Sequence, residues 1–314
     1  QETLAAALTT LNRFDEARKP MESALRAKLD DDSVHLTLYE LDFLKGDTQA
    51  MKDEMTWFDG KPDLEHERWA FQSQTEAYFG HLRNARELTK RAADAALRSD
   101  NKEASAVWQD DEAIREAEFG NVADARRDAA AALSLGLSDR LSSEEGALAL
   151  AMAGDTGRAE SIVQAVQKRY PLDTLMKSYW VPTVEAQIAI GQNDSTHALE
   201  LLQAVIPVDY SIAAGAAGIG SCLYPIYLRG NAYLEAKQGS AAAAEFQKIV
   251  DHNGVVQNCP TGALAHLGLA RAHVLEGDSA KAHAAYNDFL TLWKDADADI
   301  PVLREAKTEA AAVR

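Results

Sequence analysis

Apolar and small residues recur along the chain at helical spacing, most plainly between Ile226 and Phe289. There Ile226, Gly230 and Tyr233 precede Gly239, and Ala242, Phe246 and Ile249 follow it. The same order returns as His266, Ala270 and His273, then Gly277, then Ala282, Tyr286 and Phe289. Residues three, four and seven apart share one face of an α-helix, so each run predicts two amphipathic helices joined by a tight turn. A small residue on the first helix (Gly230, Ala270) lets the second approach closely, and Ala242 or Ala282 fills the facing slot. Such a hairpin cannot bury its apolar stripe alone, which predicts stacking on a neighbour.

Looser copies fill the rest of the chain. The anchor alanines Ala17, Ala50, Ala85, Ala125, Ala159, Ala198, Ala242 and Ala282 are 33, 35, 40, 34, 39, 44 and 40 residues apart. That is a unit of about 34 residues with insertions, the spacing of the tetratricopeptide repeat. Lys45-Gly46-Asp47, Phe119-Gly120-Asn121 and Ala153-Gly154-Asp155 supply turns between the helices of successive units. No stretch alternates at a period of two for long enough to make a strand. The expected fold is all-α, a right-handed superhelix of about eight hairpins, with Val302 to Val313 as a helix capping the last apolar face. The expected organisation is one array over 1–314, with sub-blocks 1–171 and 172–314 and an inserted loop at 207–221.

Charge narrows the function. With 49 acidic against 32 basic residues the net charge is −17, which repels phosphate backbones and anionic lipid, so no nucleic-acid partner and no direct membrane contact are expected. The uncharged run Tyr210 to Leu228 has the length of a membrane span, but Gly215, Gly218, Gly220 and Pro225 make it a loop entering a helix. The start at Gln1 predicts a fragment or a processed product, and compartment and oligomeric state stay open.

Candidate chemistry is sparse. The same three glycines precede no Gly-Lys-Ser/Thr and follow no strand, so they do not make a phosphate loop. His266 and His273 occupy repeat packing slots beside His252 and His283 without a His-Glu-x-x-His spacing, and no metal or cofactor is expected. The acid pairs Asp110-Asp111 and Glu144-Glu145 are read as solvated faces, since neighbours on a helix point apart. Asn193-Asp194-Ser195 fits a glycosylation acceptor by formula only. Cys222 opens the first helix of the seventh unit and Cys259 lies just ahead of that of the eighth, so stacking brings them together. Either a disulfide or two buried thiols follow.

The runs Tyr227-Leu228-Arg229-Gly230-Asn231-Ala232-Tyr233, Ala241 to Ile249, and Gly262 to Ala272 with Asp288 to Asp297 carry a more particular likeness. They resemble the C-terminal repeat region of bacterial, especially acidobacterial, eukaryotic-like serine/threonine protein kinases. Related repeats follow winged-helix domains in bacterial transcription regulators. The glycine-rich loop, His-Arg-Asp and Asp-Phe-Gly motifs of a kinase do not occur, so no enzymatic activity is expected of this chain. The resemblance implies a sensing or docking region that takes a protein or peptide partner; a purely architectural or oligomerising array is the alternative.

In such repeats the first helices line the concave face. Register from Gly230 and Ala270 puts Trp180, Gln187, Tyr224, Tyr227, Asn231, Leu234 and Arg271 there. Aromatic faces with an amide and a guanidinium suit an extended peptide, or the protein's own tail.

Overall fold

The computed structural model describes residues 1–135, 140–210 and 222–313, so most of the expected insertion lies outside the described residues. Eight helical hairpins follow one another among them. They are α1 (Glu2–Thr10) with α2 (Phe14–Arg26), α3 (Asp32–Lys45) with α4 (Thr48–Thr56), α5 (Glu65–Tyr78) with α6 (Leu82–Arg98), and α7 (Lys102–Glu118) with α8 (Val122–Ser134). Next come α9 (Arg140–Met152) with α10 (Thr156–Arg169), α11 (Val181–Gly191) with α12 (Ser195–Gln203), and α13 (Tyr224–Glu235) with α14 (Gly239–Asp251). A short α15 (Asn253–Val256) leads to α16 (Pro260–Glu276) with α17 (Ser279–Leu292), and α18 (Pro301–Ala312) closes the array. No strand occurs among the described residues. The fold is a tetratricopeptide-type α-solenoid.

Each hairpin turns through one left-handed residue after its first helix. Five of these are glycine (Gly46, Gly80, Gly120, Gly154, Gly277), two are Asn12 and Asn193, and the seventh unit uses Lys237 at φ 59°. Capping starts several return helices: Asp47 accepts from Ala50 N–H at 3.0 Å, Asp194 from His197 N–H at 3.0 Å and Asp278 from Lys281 N–H at 3.0 Å. Asn193-Asp194-Ser195 is thus a turn and a cap. The anchor alanines Ala17, Ala85, Ala125, Ala159, Ala198, Ala242 and Ala282 are buried, whereas Ala50 is half-buried. Between the seventh and eighth units, Cβ atoms on Gly230 and Gly268 would lie 2.7 and 2.6 Å from the Phe246 ring, so the two glycines sandwich that phenyl group.

The array curls until its ends meet, so that the C-terminal units lie against the first units. Asn12, after α1, donates its side-chain amide to the Asp251 carbonyl at 2.8 Å and accepts from Gly254 N–H at 3.0 Å. A Cβ on Gly254 would lie 1.9 Å from the Thr9 carbonyl, so this approach requires glycine. Farther along the seam the Asn258 amide reaches Phe71 O and Thr75 Oγ1 on α5, and Trp293 Nε1 donates to Tyr78 O at 2.9 Å. Asp297 N–H donates to Gly80 O at 3.0 Å and Val302 N–H to Phe119 O at 3.2 Å, which fixes the start of α18 on the turn between α7 and α8.

The packing of neighbouring units corrects one sequence expectation, because α9 lies against α7 at Asp110 and Glu144 packs with Val163 and Trp180. Asp110 and Glu144 are buried and Asp111 and Glu145 half-buried, so the acid pairs are not solvated faces. Burial pushes the Asp111 carboxyl up to about 7 against the opposing charge of Arg115, and the Glu118 carboxyl up to about 8. His266 is half-buried rather than a core residue, and His273 bonds Glu276 at 2.7 Å.

Candidate docking surface

The residues expected on the concave face divide between a closed inner end and an open outer end. Trp180 lies in a π-helical turn, Met176–Trp180, ahead of α11, and its ring centroid is 6.3 Å from that of Tyr224 at the start of α13. Both are buried, at 6% and 8% exposure: Trp180 packs with Ala147 and Val163 of the preceding unit, and Tyr224 comes within electrostatic reach of Glu118 and Asp111 on α7. Tyr227, one turn on, meets Phe246 edge-on at 5.9 Å and bonds Asn231, and burial raises its phenol well above the usual range. Gln187 is half-buried on α11, apart from these contacts.

At the outer end Leu234 and Arg271 line a groove of about 400 Å³ between α13, α16, α17 and α18. Val274, Leu275, Ala312 and Val313 supply apolar wall, and Lys237 stands at the rim. Val274 and Leu275 are 46% and 39% exposed and line the same groove, so they form a contiguous apolar patch rather than isolated surface residues.

Arg271 already holds a carboxylate. Its Nε and Nη2 each donate to Glu309 of α18 at 2.9 Å, Nη2 reaches Glu305 at 3.4 Å, and the Tyr286 hydroxyl donates to Glu309 at 2.9 Å. Burial opposes the Arg271 charge, but the bonds to Glu309 outweigh it and hold the guanidinium above its usual value. The chain's own final helix thus occupies the position assigned to a partner's carboxylate. Sequence reasoning missed Glu309, Tyr286 and Lys237; the spacing of Glu305 and Glu309, one turn apart on α18, was the available signal.

Two other constellations bear on function. Cys222 and Cys259 are joined as a disulfide with Cα atoms 5.3 Å apart, and the Thr261 hydroxyl donates to Cys222 O at 2.8 Å across the same joint. Glu112, Glu116 and Asp128 bring carboxylate oxygens within 4.8 Å of one another. Arg86 Nε donates to Glu116 at 2.5 Å and Arg127 Nε to Asp128 at 2.8 Å, so arginines neutralise two of the three, and burial raises the Glu112 carboxyl to about 7. No described helix is long and apolar enough to cross a membrane.

No family model and no curated protein matches the chain. Among solved structures the chain is similar to yeast Tom70, with 16% identity and a TM-score of 0.47 over 96% of this chain and 58% of that one. It therefore spans little more than half of the Tom70 chain it matches. It is also similar to the P58(IPK) TPR domain, with 14% identity and a TM-score of 0.31 over 99% of this chain and 96% of that one.

Proposed function

We propose that this chain is a protein-interaction scaffold that holds a peptide segment in the outer groove between α13, α16, α17 and α18. The observation that carries the reading is Lys237. Seven of the eight hairpin turns give the left-handed position to glycine or asparagine, and the eighth gives it to a lysine at the rim of an exposed apolar groove. A side chain at positive φ costs about 1 kcal/mol, which the turn itself does not require. An ammonium beside Leu234, Val274 and Leu275 suits an amphipathic segment with an acidic residue at one end. The experiment identifies a partner by affinity capture and measures its binding to Lys237→Gly and Leu275→Asp. Both should weaken affinity at least ~10-fold, as loss of an ion pair or of a central apolar contact does. Unchanged affinity in both variants would place the contact elsewhere.

The kinase-associated likeness supplies the setting: a sensing or docking region of a larger bacterial signalling protein. The full reading frame of the gene tests this, because a catalytic domain or a winged-helix domain upstream distinguishes the two contexts.

A further inference from the structure

The seam between the first units and the α15–α16 connection contains a carboxyl group without a cation. Glu40, on α3, is 7% exposed, and the Gln257 side chain donates a hydrogen bond to it. Yet Glu40 Oε1 and Gln257 Oε1 are both buried acceptors with no hydrogen-bond partner. Two orphaned acceptors on residues already bonded to each other are what an ionised carboxylate leaves behind. One proton on Glu40 removes both faults, because the acid O–H then donates to the amide oxygen while the amide N–H donates to the acid carbonyl.

The charged groups around the pair do not substitute for that proton. On α3 itself Tyr39 donates or accepts with Thr75 and Asp42 is held by Arg18 of α2. On α5 Glu76 bonds His81, and on the connection His252 Nδ1 lies 2.7 Å from the Lys248 carbonyl. Burial raises the Glu40 carboxyl well above the ordinary carboxylate range, in agreement with the two unpaired acceptor oxygens.

Gln257 is also held under strain. Its backbone stands at φ 51°, ψ −125°, a region a non-glycine residue seldom enters, between the Gly254 contact with Thr9 and the Asn258 bonds to α5.

We propose that Glu40 is a protonated carboxylic acid in the closed molecule, paired by two hydrogen bonds with the Gln257 carboxamide, and that this pair is a proton-operated latch. Loss of the proton leaves a buried charge facing an amide oxygen and releases the α15–α16 connection from α3 and α5, exposing the concave face of the first units. This does not depend on what the outer groove binds.

Carbon-13 NMR of the full chain labelled at glutamate carboxyl carbons tests the protonation, with Glu40 identified by its loss in Glu40→Gln. The Glu40 carbon should hold its protonated shift at neutral pH and titrate only as the Asn258 side-chain amide signals change. Titration near the ordinary value of 4.5 would overturn the proposal. The same variant tests the latch, since glutamine is a permanent analogue of the protonated acid. Its melting temperature should match wild type at pH 5 and exceed it by at least ~3 °C at pH 8.5. A variant less stable than wild type at both values would mean that the charge, not the proton, holds the seam. If Glu40→Gln does not fold, that also counts against the latch, and the wild-type carbon titration, assigned then from Glu40→Asp, still decides the protonation.

Discussion

Arg229 concentrates the residue-scale energetics of the C-terminal units. At 1% exposure it donates Nε to Glu245 at 3.0 Å, Nη1 to Leu202 O at 2.9 Å and Nη2 to Asp209 at 2.5 Å, tying α12, α13 and α14 together. Replacing it by methionine keeps volume but leaves the buried Asp209 carboxylate without its cation and Glu245 with Lys248 alone, which should cost about 3–5 kcal/mol. Urea denaturation of Arg229→Met measures this. The triple variant that also removes both charges (Asp209→Asn, Glu245→Gln) should recover part of the loss. Lys237→Gly should do the reverse in the unliganded protein: relief of the left-handed backbone adds up to about 1 kcal/mol at the site whose ammonium the docking reading requires. A variant more stable yet weaker in binding is the expected outcome, read by melting temperature and by titration calorimetry.

Among elements, α7 carries the strongest pH dependence. The Asp111, Glu112 and Glu118 carboxyls are raised to about 7, 7 and 8, in each case chiefly by burial, against ordinary values near 4 in the unfolded chain. The native state therefore binds more protons than the unfolded state between about pH 4 and 8, so stability falls as pH rises through that window. Melting temperature should increase on acidification from pH 8 toward pH 5, opposite to the usual loss of carboxylate ion pairs. Glu118→Gln with Asp111→Asn should flatten the slope; an unchanged slope would remove α7 as its source. The joint between α13 and α16 makes a second element-scale prediction. Closing a loop of 37 residues through Cys222 and Cys259 should contribute roughly 4 kcal/mol. Peptide mapping without reductant should recover the linked pair, and Cys222→Ala with Cys259→Ala should lower stability by about that amount.

At the scale of the whole molecule, repeat stacking and ring closure are separate events. Neighbouring hairpins bury their stripes locally, whereas closure rests on contacts that include Asn12 with α15, Glu40 with Gln257, Asn258 with α5, Arg83 with Asp297 and Asp299, Trp293 with Tyr78 and α18 with Phe119. Gly254→Leu places side-chain atoms where Thr9 O stands, so it should open the ring without melting the units. Circular dichroism should keep its helical signal while the radius of gyration from small-angle scattering increases. A cooperative loss of helix instead would show that closure and stacking are one transition.

Helix positions, the hairpin order and the capping helix were legible in the sequence because each depends on residues within about 40 positions: a 3.6-residue stripe, a left-handed turn, a small residue at the crossing. Gly46 ends α3 and Pro301 starts α18 for reasons written within a few residues of each. What the concave face meets was not legible. Tyr224 of the seventh unit comes within electrostatic reach of Asp111 and Glu118 of the fourth, and Asn12 meets Gly254, because small rotations between successive units accumulate until distant units touch, whereas Trp180, Asp110, Glu144 and Arg271 are covered by neighbouring elements. No local pattern encodes that sum, since a repeat specifies its contact with the next repeat and not with the one that returns beside it. The sequence by itself determined the units and their stacking. Tertiary structure alone decided which of their faces water and a partner can reach.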